Sequence, residues 1–230
     1  MHLISDRDQA VAVLNDPNFV VPAVPPATAG VAWLRASVGR FSSGPAHQRR
    51  RALAEAILDA VPPQSLRAPT ARHPVAVLAR AIGVPENVVE PVEAVAQAYQ
   101  PGTGDDARAD VAVDQLVSAF GGAYDEATAA RIGVLVQACA ATTVLIQRAR
   151  QHPVEVVLHD HPPVPVTRRQ ALATTTVGDV TVTAGDVVQV GLGGGLAFGT
   201  GPRRCPGQHH ALALVDGALG NSLGTDGALR

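Results

Sequence analysis

Apolar residues recur at helical spacing through most of the chain. Residues 6–15 set Val11, Val13 and Leu14 among charged and polar positions and predict a short helix, followed by a Pro-rich loop at 22–26. Residues 47–60 bring Leu53, Ala54, Ile57 and Leu58 onto one face, with arginines on the other, and Pro62-Pro63 stops the run. Shorter helices are predicted near 74–82, 86–98 and 106–120, separated by Pro85 and Gly102. The longest helical pattern spans 125–151. Asp125 is its expected N-cap, Pro153 its stop, and positions 132–146 are so uniformly apolar or small that burial on most sides is expected.

From residue 164 the period shortens. Residues 174–177 and 180–183 read as a hairpin turning at Gly178-Asp179, and Ala184-Gly185-Asp186 turns into a strand over 187–192. Residues 193–207 form a glycine-rich loop and 208–219 a final helix. The expectation is a mainly α chain with a small late β-sheet, in one domain over 1–230, without a βαβ rhythm or an internal repeat.

Composition narrows the chemistry. With 47% hydrophobic and 17% charged residues in 230, the chain is built to bury a core and is not disordered. A net charge of −2 argues against nucleic acid as a partner. No apolar run approaches the roughly 20 residues of a membrane span, and residues 1–8 lack a signal pattern, so a cytoplasmic protein without a membrane partner is expected. All 18 basic residues are arginine. The absence of lysine excludes phosphate-loop and Schiff-base chemistry. Two cysteines, Cys139 and Cys205, exclude a disulfide framework.

The segment Phe198-Gly199-Thr200-Gly201-Pro202-Arg203-Arg204-Cys205-Pro206-Gly207 places one thiol in a glycine-rich loop just ahead of a helix. A helix N-terminus and neighbouring arginines favour its thiolate. Glycines at 199, 201 and 207 let the backbone approach something large and flat, and N–H groups after the cysteine tune a metal bound there. A single thiolate suits an iron whose other positions a porphyrin fills. A dinucleotide fingerprint at 191–195 fails, because Leu196 holds the last glycine position and no helix follows at once. His159-Asp160-His161 and His209-His210 lack the spacing of a closed zinc site.

This segment resembles the heme-binding loop of the cytochrome P450 family, Phe-x-x-Gly-x-x-x-Cys-x-Gly, through Phe198, Gly201, Cys205 and Gly207. The resemblance implies a reduced P450-like helical fold around heme b, with Cys205 as the axial iron ligand, Phe198 shielding the sulfur and Arg203 reaching a propionate. His47 and Arg51, four apart on one helical face, resemble the family's His-x-x-x-Arg helix start, and the implied role is again a propionate. Residues 162–171 resemble the lead into the family's main sheet, which implies a propionate contact at Arg169, or else Arg168. Residues 138–143 resemble the oxygen-binding stretch Ala-Gly-x-acid-Thr: Thr142 keeps the threonine, while Cys139 replaces the glycine and Ala141 the acid. Ala138, Ala141 and Thr142 are the implied catalytic face, although a buried helix of small residues accounts equally well for the same letters.

Against the family pattern, the N-terminal sheet region, the meander between Leu192 and Phe198 and the C-terminal hairpin are missing. The glutamate–arginine pair expected near Val156 and His159 is missing too. The resemblance implies a heme-dependent oxidoreductase of secondary metabolism, a monooxygenase or peroxide-dependent enzyme acting on a small apolar substrate. A ferredoxin-type donor would dock near Arg49, Arg50 and Arg204, and homo-oligomers are compatible with it. Two alternatives stay open. One is a heme-thiolate enzyme for non-oxygenating rearrangement, dehydration or bond formation, favoured by Ala141 and Cys139. The other is a heme-free relative acting as a partner or scaffold.

Overall fold

The computed structural model describes residues 2–84 and 86–225. Pro85, one of the two expected helix separators, lies outside the described residues. Helices in chain order are α1 (Arg7–Asn15), α2 (Gly30–Ser37), α3 (Gly44–Asp59), α4 (Pro74–Ala81), α5 (Val89–Ala98), α6 (Asp106–Ala119), α7 (Glu126–Ala149), α8 (Val154–Asp160) and α9 (Gln208–Thr225). Strands are β1 (Leu3–Ile4), β2 (Phe19–Val20), β3 (Val166–Ala171), β4 (Thr175–Val177), β5 (Val180–Val182) and β6 (Val187–Gly191). The chain is mainly α with small sheets, as the sequence implies. It packs as two compact units, one from the residues up to 23 with 148–205, the other from 24–147 with the chain from 206 onward.

The first unit holds the sheet. Its strand order is β1-β6-β3-β2, with β1 parallel to β6 and the other pairs antiparallel. Val188 and Val190 alternate with less buried neighbours along β6 and point into a core shared with Val13, Leu14, Phe19 and Leu196. The β4–β5 hairpin turns at Gly178, whose φ of +58° suits glycine. At α1 the Asp6 side chain accepts the Gln9 N–H at 2.9 Å, an ordinary N-cap.

The second unit is helical, around Leu34, Val75, Leu78, Leu116, Ile132 and Leu135. Its α2–α6 interface is held by carboxylates one turn apart on α6. Asp106 pairs with the buried Arg35 at 2.7 Å, and Arg35 also donates to the carbonyls of Ala98 and Tyr99. Asp110 accepts the Val31 N–H at 2.7 Å. The residue before α2 is Ala29, which gives no side-chain cap, so α6 supplies the missing acceptor. Gly30 permits this: its φ is +64°, and a Cβ there would sit 2.2 Å from the Asp110 carboxylate. Asp114 accepts from the Tyr124 hydroxyl, whose ring meets Trp33 edge-on at 4.6 Å.

The predicted helices and hairpin occur with ends shifted by a few residues, and Asp125 caps α7 through the Thr128 N–H at 2.7 Å. Five elements are not predicted, among them β3, whose polar Thr167, Arg168 and Gln170 give no clear strand alternation. β1 and β2 are two residues long and carry no period, α2 has no cap of its own, and α8 fits in seven residues between Pro153 and Pro162. One expectation is corrected. α7 is long and apolar enough to cross a membrane by length and composition. Arg131, Gln137, Thr142, Thr143 and Gln147 interrupt its apolar run while leaving the average high. Most of that stretch is buried within the protein, which is the signature of a core helix.

Candidate functional site

The sequence-derived site residues fall into two groups, one in each unit. Phe198, Gly199, Gly201, Arg203 and Cys205 lie together on one loop of the first unit, with Arg169 on β3 of the same unit. His47 and Arg51 on α3, Ala138, Ala141 and Thr142 on α7, and Gly207 just before α9 belong to the second.

The loop is closed by backbone bonds. The Cys205 N–H donates to the Phe198 carbonyl at 2.8 Å, Gly199 N–H to Leu196 at 2.7 Å, and Arg204 N–H to Gly201 at 3.1 Å across a single 3-10 turn. Gly199 and Gly201 have φ of +68° and +66°, where a side chain is strained. Their reasons differ. A Cβ on Gly201 would lie 2.3 Å from Asn15 Oδ1, so this glycine makes room for α1. A Cβ on Gly199 would meet nothing closer than 3.9 Å, and one on Gly207 would make ordinary contact with Leu58 at 3.7 Å. At Gly201 the protein's own helix fills the space a side chain would take.

Neither cysteine is in a disulfide, and their settings are opposite. Cys205 is exposed on its loop. Cys139 is buried in α7, and burial, reinforced by the charge of Glu93, pushes its thiol up to about 11. Arg169 is buried in β3, donating to Thr167 Oγ1 at 3.1 Å and to the Arg168 carbonyl at 2.8 Å, whereas Arg168 is exposed.

On α3, His47 and Arg51 are half-buried, and Arg51 holds Glu55 at 2.7 Å. Arg49 and Arg50 are engaged as well. Arg49 grips Glu126 with two bonds of 2.7 and 2.8 Å, and Arg50 adds a third at 2.8 Å. The two guanidiniums hold the Glu126 carboxyl down to about 2. On α7, Thr142 is 2% exposed, and Ala138 and Ala141 are half-buried. One residue on, Thr143 Oγ1 lies 3.4 Å from His73 Nε2, which is 3.5 Å from Glu93. His73 Nδ1 accepts the Val75 N–H that starts α4. The sequence reading missed Glu126, His73 and Glu93. An acid in the first turn of α7 was the only local signal, and the histidine and Glu93 gave none.

No protein-family profile and no curated protein matches this sequence. Solved structures do. Mycobacterium smegmatis CYP164A2 in its ligand-free state superposes with a TM-score of 0.69 at 19% identity, covering 99% of this chain and 84% of its own. P450BioI, solved with an acyl carrier protein bearing hexadec-9Z-enoic acid, gives 0.67 at 18% identity, over 96% and 84%. CxnD, a cytochrome P450 for C–S bond formation in chuangxinmycin biosynthesis, gives 0.60 at 13%, over 94% and 78%. The fold is that of a cytochrome P450.

The P450 fold implies heme, and the donors present fit it. Among the described residues no three His, Cys, Asp or Glu side chains gather to hold a metal. A heme iron asks the protein for one thiolate, and the chain offers two thiols in different settings. Cys205 is the exposed thiol with its backbone anchored, while Cys139 is the shielded one that stays protonated.

Proposed function

We propose that this chain is a heme-thiolate oxidoreductase acting on a small apolar substrate of the natural-product type. The observation that carries the reading is the Cys205 loop, its amide tied to the Phe198 carbonyl and its thiol exposed, in a chain with the P450 fold. When bound, heme supplies activation of oxygen or peroxide, and a thiolate ligand favours O–O cleavage. Cys205 holds the iron and Phe198 lies beside the sulfur. Gly199, Gly201 and Gly207 set the loop's path. Arg203 and Arg169 take the propionates, and by the resemblance of the motif the same role falls to His47 and Arg51 on α3, where Arg51 holds Glu55. Ala138, Ala141 and Thr142 line the substrate side with small groups. A ferredoxin-type donor docks near Arg49, Arg50 and Arg204, the first two of which also hold Glu126.

The test is the optical spectrum of heme-supplemented protein, reduced and treated with carbon monoxide. A strongly red-shifted Soret band is expected, lost in Cys205→Ala and kept in Cys139→Ser. A band unchanged in Cys205→Ala would overturn the assignment, and no heme uptake would favour a scaffold. A second reading, non-oxygenating rearrangement or bond formation on the same heme, is favoured by one observation. Position 141 is alanine and the Thr142 side chain is almost wholly buried, so α7 presents no acid–hydroxyl pair to deliver protons. Conversion under argon without reductant selects this second reading, and dependence on electrons and oxygen selects the first.

A further inference from the structure

His210 lies in the first turn of α9, which begins three residues after Cys205. Its ring is buried, with Nε2 2.8 Å from the Val61 carbonyl and 3.0 Å from the Leu58 carbonyl. Both partners only accept, so Nε2 carries the proton and donates to the pair. Nδ1 is buried with no hydrogen-bond partner. A leucine would fill this place without stranding a ring nitrogen, so packing does not explain the imidazole.

The sequence at the end of α3 does. The helix stops ahead of Pro62-Pro63, and neither proline has an N–H to offer the carbonyls there. The Leu58 carbonyl, whose helical partner would be Pro62, takes the Val61 N–H at 2.9 Å instead, and His210 reaches across from α9 to give it a second donor and to serve the Val61 carbonyl as well. Further along α9, Asp216 pairs with Arg67 at 3.2 Å, and the Gly217 carbonyl accepts the Thr70 N–H at 3.1 Å. α9 is thus moored along residues 58–70, and His210 is the mooring at its start.

We infer that His210 is a positioning residue for the axial sulfur: by fixing the first turn of α9 to the end of α3, it fixes where the chain leaves Cys205. The inference rests on the heme-thiolate reading. Gln keeps a donor at the reach of Nε2, and Leu removes it at similar size. The experiment compares His210→Leu and His210→Gln in heme-loaded protein by the ferrous carbon-monoxide spectrum and by the rate of heme transfer to apomyoglobin. Circular dichroism confirms helix content.

In His210→Leu the red-shifted band should give way to a shorter-wavelength one, and heme transfer should quicken about tenfold, the size of one lost buried hydrogen bond. His210→Gln should restore both. If His210→Leu does not fold, His210→Asn, too short to serve both carbonyls, takes its place with the same expected loss. A wild-type band and transfer rate in that variant, or equal loss in Leu and Gln, overturns the role of His210 and leaves the heme-thiolate reading intact. Absence of the band in the unaltered protein overturns the heme-thiolate reading itself, and the inference with it.

Discussion

The surroundings of Cys205 and of Cys139 are built on opposite plans. Cys205 sits where backbone geometry dictates everything: two left-handed glycines, a 3-10 turn and a closing bond from its own N–H present the thiol to the outside. Cys139 sits where side-chain packing dictates everything, inside a long apolar helix, with its thiol pushed up to about 11. A thiol's chemistry is set by what surrounds it, and one chain here holds both an exposed sulfur and a buried one.

The most direct way to break this contrast is alkylation of the native, heme-free protein, mapped by peptide mass. At pH 7 a thiol displaced to about 11 is ionised on the order of one part in ten thousand. Burial slows it further, so Cys205 should react at least a hundredfold faster than Cys139. Comparable rates would show that α7 opens readily or that the Cys205 loop is shielded.

The loop side of the contrast is sharpened by two glycine substitutions. Gly201→Ala adds a clash with Asn15 to the cost of its φ and should lower stability by about 2–3 kcal/mol. Gly199→Ala meets open space and should cost about 1 kcal/mol. Equal shifts in melting temperature would deny that α1 dictates the shape of this loop.

The α7 side is sharpened by pH. Glu126 has its carboxyl held at about 2 in the folded protein against 4.5 ordinarily. Its ion pairs therefore contribute fully above about pH 4.5, and the contribution is lost as pH falls toward 2. Because the pairs are partly solvated, about 1 kcal/mol is expected. Glu126→Gln should flatten that part of the stability curve, and an unchanged acid limb would mean the clasp contributes nothing.

What could be read from sequence was what the chain encodes locally. Asp125 caps the helix it precedes, Gly178 turns the hairpin it divides, and the spacing around Cys205 stands in ten consecutive residues. What escaped depends on distant partners. α2 takes its cap from Asp110, 79 residues from Val31. Arg49 and Arg50 read as a docking surface for a donor until α7 brings Glu126 to them. His73 had no reason to be singled out before α5 and α7 placed Glu93 and Thr143 beside it. Ala138 and Ala141 show the middle case: their letters fit a buried helix or a ligand face, and half-burial keeps both uses open to the same residues.

The parallel pairing of Leu3 with Gln189 sets a timetable for biosynthesis. A ribosome delivers the opening strand first and its neighbour only after more than 180 further residues. Throughout that interval the start of the chain must wait without a sheet to join, and a nascent protein halted before β6 has nowhere to put it.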